Sequence, residues 1–197
     1  MRRHLLALAC AFVGMAGVAS AAPGVEIDPL THQPLVQNPN AMDAEGRPLA
    51  IAIPRETVYF QGNYAPGTIV ISTAERRLYY VLPGGQAVKY GVGVGRPGFE
   101  WAGTKTVAMK REWPDWTPPA QMLKRRPDLP RHMKGGENNP LGARAMYLGG
   151  TLYRIHGSNE PETIGQAVSS GCIRMTNEDV TDLYERVKVG TKVVVMR

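Results

Sequence analysis

Cys172 and His156 are the residues of this chain best suited to covalent chemistry. The cysteine lies sixteen residues after the histidine. A thiol is a weak nucleophile until a base or a nearby cation helps it lose its proton, and an imidazole is the usual helper. His156 falls at the end of a predicted strand, Leu152–His156, and is followed by Gly157, so its side chain can reach a neighbouring loop. Gly171 stands directly before Cys172. Acyl transfer places negative charge on the former carbonyl oxygen. Backbone N–H groups around a nucleophile stabilise that charge when no side chain blocks them, at roughly 10²–10³ in rate per donor. A positioned base adds about 10²–10⁴. Alternative roles for the cysteine are a small buried hydrophobe and a pairing site for another chain.

The elements that must hold these residues read as mostly β. Gly at 22 and Pro at 16, against only 3 Phe, favour turns and short strands over long helices. Strands are expected at Thr68–Ser72, Arg77–Leu82 and Ala87–Val94, joined by tight turns as a meander. More follow at Thr104–Met109, Ala145–Leu148, Leu152–His156 and Thr191–Met196. One helix is expected after Thr176 or Asn177. Thr176 and Asp179 fit a capping box, Glu178 and Asp179 suit the positive helix end, and Val180, Leu183, Tyr184 and Val187 make one apolar face. Gly190 stops it.

Three flanking regions differ from this body. Residues 1–21 read as a signal peptide: Arg2 and Arg3, an apolar run Leu5–Val18, and the small-residue site Ala19-Ser20-Ala21. That run is shorter than the ~20 residues a membrane span needs. Cleavage would lower the formal charge from +6 to +4 and remove Cys10, leaving Cys172 as the sole cysteine. The protein is then exported, most simply to the periplasm, with no stable membrane insertion and no nucleic-acid partner. Residues 22–65 form a proline-punctuated arm with one possible short strand at Ala50–Ile53, and compact structure is expected from Pro66. Residues 111–140 contain Trp113, Trp116 and many basic residues. They read either as a flap beside a groove or as an excursion with both tryptophans buried on the sheet.

Other motifs fall away. Gly93-Val94-Gly95-Arg96-Pro97-Gly98 has dinucleotide-loop spacing, but Pro97 and the residues after it do not open a helix. No Gly-x-Ser-x-Gly elbow is present, and one cysteine with scattered histidines is poor zinc-site material. No metal and no cofactor are expected.

His156-Gly157-Ser158 followed by Ser169-Ser170-Gly171-Cys172-Ile173-Arg174-Met175 resembles the signature of L,D-transpeptidases, cysteine enzymes of bacterial cell walls. The resemblance covers roughly residues 66–197. It implies a β-sandwich-like catalytic domain with few short helices. It implies that Cys172 attacks the third residue of a peptidoglycan stem peptide, usually diaminopimelate in Gram-negative walls, and expels the terminal D-alanine. His156 would be the base, oriented by a backbone carbonyl such as that of Gly157. Backbone N–H groups of Ser170, Gly171 and Cys172 would form the oxyanion hole. Arg174 would shape the site or hold a substrate carboxylate, with a structural ion pair as the alternative. Ser169 would fix the loop through its hydroxyl. Many members carry histidine where this chain has Ser170. The acceptor stays open: a second stem peptide, a D-amino acid, a wall-attached protein or water. A silent wall-binding module and a redox or disulfide-linked protein are the other classes.

Overall fold

The structure, a computed structural model, describes residues 53–197. The signal peptide expected at residues 1–21, most of the expected arm, and all but Ile53 of the strand expected at Ala50–Ile53 lie outside the described residues. Among those described, no helix is long and apolar enough to cross a membrane.

The meander forms as the residue types predict. Strands β2 (Ile69–Ser72), β3 (Arg77–Leu82) and β4 (Gln86–Gly91) pair antiparallel. Every residue of β2 is buried, as suits its β-branched composition. The arm's last part departs from expectation. Strand β1 (Glu56–Tyr59) pairs antiparallel along the outer edge of β4, so the sheet begins before Pro66. Beyond Pro54 this stretch has no proline, and its free N–H and C=O groups satisfy an otherwise open strand edge.

After β4 the chain passes through β5 (Val94–Gly95), β6 (Gly103–Glu112), the short helix α1 (Ala120–Arg125), β7 (Arg144–Leu148), β8 (Arg154–His156), β9 (Ala167–Ser169), β10 (Ile173–Arg174), helix α2 (Asn177–Arg186) and β11 (Lys192–Met196). Nine strands form one sheet in the order β1-β4-β3-β2-β11-β6-β7-β8-β10, and β5 pairs β9 separately. The ten-residue β6 belongs to both halves of the sheet. Its start pairs β11, its end pairs β7, and its register shifts between Val107 and Met109. A shift of that kind bends a strand and strengthens its twist. The sheet therefore curls. Ile69, Leu78 and Tyr90 from one half meet Met146, Leu148 and Ile173 from the other in a single buried cluster. This is the sandwich-like, mostly β architecture expected from the sequence.

The strand expected to run from Ala87 to Val94 ends at Gly91. There the chain leaves the sheet edge: the Val92 N–H donates to the Arg76 carbonyl, and Gly93 exchanges two 2.9 Å hydrogen bonds with Arg174. Helix α2 closes one side of the core with Val180 and Leu183, and Val187 follows at its C-cap. Thr176 is its N-cap, with Oγ1 accepting from the Asp179 N–H at 3.1 Å. Thr176→Ala should cost about 1 kcal/mol and lower Tm by roughly 2–4 °C at this chain size, measured by calorimetry. An unchanged Tm would show that packing alone holds the helix start.

Candidate active site

Strands β8 and β10 run parallel, with Ile155 opposite Ile173 and His156 opposite Arg174. Side chains alternate faces along a strand. Ile155 and Ile173 are buried in the core. His156, Arg174 and, two residues earlier on the β10 side, Cys172 therefore share the other face. All three line one cleft of about 1050 Å³. Two short strands and their register thus bring Cys172 and His156 to one cleft.

The nucleophile loop is held from several sides. Ser169 Oγ donates to the Cys172 carbonyl at 2.6 Å and accepts from the Gly171 N–H at 3.0 Å. The Gly171 N–H donor is occupied by Ser169, which corrects its assignment to the oxyanion hole. Short loops satisfy their buried N–H groups internally where a hydroxyl is in reach. Gly171 has φ of 108°, and a Cβ there would run into the Tyr153 ring. Only glycine combines that backbone with that contact. Tyr153 in turn stacks on Trp101, ring centroids 4.7 Å apart, and Trp101 Nε1 donates to the Gly171 carbonyl at 2.7 Å. Trp101 and Tyr153 support the nucleophile loop, and Arg96 reaches it through Ser170 Oγ at 3.2 Å, yet nothing local in the sequence marked them. Their role arises from contacts between distant segments.

His156 is buried, and its Nδ1 lies 2.6 Å from the Gly157 carbonyl oxygen. A carbonyl can only accept, so Nδ1 carries the proton and Nε2 keeps the lone pair. Gly157 must be glycine, because a Cβ would collide with Asn177 Oδ1. That same oxygen accepts from the Ala143 N–H at 2.8 Å, tying the loop before β7 to the start of α2.

Arg174 takes the structural alternative. Its Nη1 donates to Glu160 Oε2 at 2.7 Å and to Thr163 Oγ1 at 3.3 Å, fastening the segment after His156. The 111–140 region is an ordered excursion. Trp116 and Met133 exchange two 2.8 Å backbone hydrogen bonds, and His132 Nε2 lies 3.4 Å from Asp115. Trp116 lines the cleft and Trp113 is 43% exposed, so the region walls the groove rather than burying both rings on the sheet.

Burial favours the neutral form of each group. Burial pushes the His156 imidazole down to about 3, and the Arg174 and Arg154 cations push it the same way, against the pull of the Gly157 and Pro140 carbonyls. Burial pushes the Cys172 thiol up, against the lowering effect of Arg154 and then Arg174. The arrangement suits a base that takes the thiol proton as an electrophile arrives. Among the described residues no cluster of His, Cys, Asp or Glu could hold a metal ion.

Two outcomes follow. The unfolded chain protonates His156 near its ordinary value of about 6.5, whereas the folded chain resists until about 3. Stability from this group is complete above pH 6.5 and falls away as the pH drops through that window. His156→Gln should flatten that part of the Tm-against-pH curve, and parallel curves for both proteins would contradict it. Alkylation of Cys172 by iodoacetamide should rise only above the ordinary thiol value of about 8.5. A plateau at pH 5–7 would indicate a preformed ion pair instead.

Residues 66–195 match the L,D-transpeptidase catalytic domain family YkuD. A curated relative, the probable L,D-transpeptidase ErfK/SrfK of Escherichia coli, is 41% identical over 137 residues, 65% of this chain and 43% of the relative. The chain thus spans less than half the length of that relative. A solved chain from Brucella melitensis, described as a probable carnitine operon oxidoreductase, is 49% identical with a TM-score of 0.50, covering 73% of this chain and 94% of that one. L,D-transpeptidase 3 from Mycobacterium tuberculosis, solved with a faropenem-derived adduct, shares the fold at 17% identity and a TM-score of 0.52, over 66% of this chain and 60% of its own. With the family match spanning most of the chain, and the cysteine and histidine of its signature facing one cleft, the chain belongs to the L,D-transpeptidase family.

Proposed function

We propose that this protein is an exported peptidoglycan L,D-transpeptidase that uses Cys172 as nucleophile and His156 as base. One observation carries the reading: the 2.6 Å contact of His156 Nδ1 with the Gly157 carbonyl, which leaves Nε2 as the basic nitrogen of a residue that shares its cleft with Cys172. His156 takes the thiol proton while sulfur attacks the carbonyl carbon of the third stem-peptide residue. The oxyanion is held by the backbone N–H groups of Ser170 and Cys172. Collapse breaks the peptide bond, the departing D-alanine amine takes the proton from His156, and a thioester remains. An acceptor amine then attacks the thioester, gives a proton to His156, and the thiol is restored. Water as acceptor would give the hydrolase alternative.

The glycine-rich segment Gly93–Gly98 argues against a dinucleotide-dependent redox reading. It opens no helix, and its residues are bonded to the nucleophile loop and to β10. Purified disaccharide-tetrapeptides, analysed by mass spectrometry, test the reading. Wild-type protein should yield cross-linked dimers and free D-alanine. Cys172→Ala should lose all turnover with its melting curve intact. His156→Ala should lower kcat by about 10²–10⁴. Tripeptide without dimers would identify the hydrolase, and retained turnover in Cys172→Ala would end the thiol mechanism. A carbapenem should add its mass to Cys172, in keeping with the faropenem-derived adduct of the mycobacterial relative, and absence of that adduct would count against a competent thiol.

A further inference from the structure

The rejected glycine-rich motif turns out to sit against the nucleophile. Strand β5 pairs β9 in parallel, and the Arg96 N–H donates to the Ser169 carbonyl at 3.0 Å. Arg96 Nη1 donates to Ser170 Oγ at 3.2 Å, and its guanidinium lies 4.2 Å over the Phe99 ring. The Phe99 N–H donates to the Arg96 carbonyl at 2.8 Å, so the tight turn brings ring and cation together. Ser170 stands two residues before Cys172, and both line the cleft with Arg96, which places this guanidinium against the loop that carries the thiol.

The arginines of the cleft divide by what they already hold. Arg174 is paired with Glu160. Arg126 is forked onto Asp128. Arg154 donates to the Leu152 carbonyl and lies over Tyr147. Arg96, Arg125 and Arg154 line the cleft with no carboxylate ion pair among the described residues, and of the three Arg96 is held both by a ring, Phe99, and by the Ser170 hydroxyl of the Cys172 loop. Arg125 approaches the same Phe99 ring at 5.3 Å. A guanidinium carries five N–H donors, and one bond to a hydroxyl leaves an edge free for two-point binding of a carboxylate.

We propose that Arg96 is a specificity-determining residue that binds a free carboxylate of the donor peptide beside the carbonyl under attack. The inference rests on the transpeptidase reading. Two carboxylates could supply the partner: that of the diaminopimelate side chain and the C-terminal one of the departing D-alanine. Ser170 holds the guanidinium in place through its hydroxyl.

The test measures kcat and KM for three synthetic tetrapeptide donors with the full chain: unmodified, amidated at the diaminopimelate side chain, and amidated at the C-terminus. Arg96→Ala should raise KM for the unmodified donor about 10- to 100-fold, the range of a hydrogen bond to a charged group, with kcat changed far less. The amidated donor that abolishes the difference between wild type and Arg96→Ala identifies the carboxylate. Arg96→Lys should recover part of the loss, as a cation without the fork. Wild type that is indifferent to both amidations overturns the inference irrespective of how the variants fold. So does Arg96→Ala that loses kcat equally on all three donors, which would make Arg96 a support of the loop. If wild type turns over no donor, the transpeptidase reading fails and this inference fails with it.

Discussion

The structure depends on the parallel pairing of two very short strands. β8 supplies three residues and β10 two, and their register puts His156 opposite Arg174. A slip of one residue would turn His156 or Cys172 into the core and Ile155 or Ile173 out of it. The register is protected because both isoleucines are fully or almost fully buried, and because the Met175 N–H donates to the His156 carbonyl at 2.8 Å. The apolar side of these strands therefore sets the geometry of their chemical side. Strands this short need outside support, and Gly93 supplies it by bridging to Arg174 on the free edge of β10.

Burial and charge act together on the resting pair. Desolvation moves the thiol up and the imidazole down, each toward its neutral form. The surrounding arginines lower both, easing thiolate formation while opposing imidazolium. A buried ion pair would require both charges to leave water, a cost that attraction offsets only with excellent geometry. In the proposed reaction the charge appears when substrate fills the cleft, and the proton passes to His156 and out to the leaving amine.

The loop after β5 links the fold to the site. It shares backbone bonds with β9, places Arg96 on Ser170, and sends Trp101 to the Gly171 carbonyl. The glycines around β5 permit close approach: at Gly95 a Cβ would collide with the Phe99 carbonyl oxygen of the turn, and at Gly93 it would sit 2.8 Å from the Thr163 carbonyl oxygen. Glycines spaced as in a nucleotide-binding loop here serve chain-to-chain packing, because no helix follows to offer its N–H groups to a phosphate.

Much of this was legible in the residues. Periodicity and turn chemistry located the meander, the last strand and helix α2, with Thr176 as its cap, and the joined His-Gly and Ser-x-Gly-Cys-x-Arg pattern marked the chemistry. These are local properties: alternation, capping and the reactivity of a thiol near an imidazole need only nearby residues. The strand β1, the early end of β4, the occupation of the Gly171 N–H by Ser169, the ion pair that holds Arg174, and the clustering of Arg96, Trp101 and Tyr153 around the nucleophile loop needed the folded chain. Each depends on which strand edge lies open or which partner arrives from 14 to 74 positions away or, for the Gly171 N–H, on the conformation of its loop. Which residues could react follows from the chain's residue types alone, because reactivity belongs to the side chain. The tertiary structure decided which donors, cations and rings are free to meet a substrate, because occupancy of hydrogen bonds is settled only when distant segments pack.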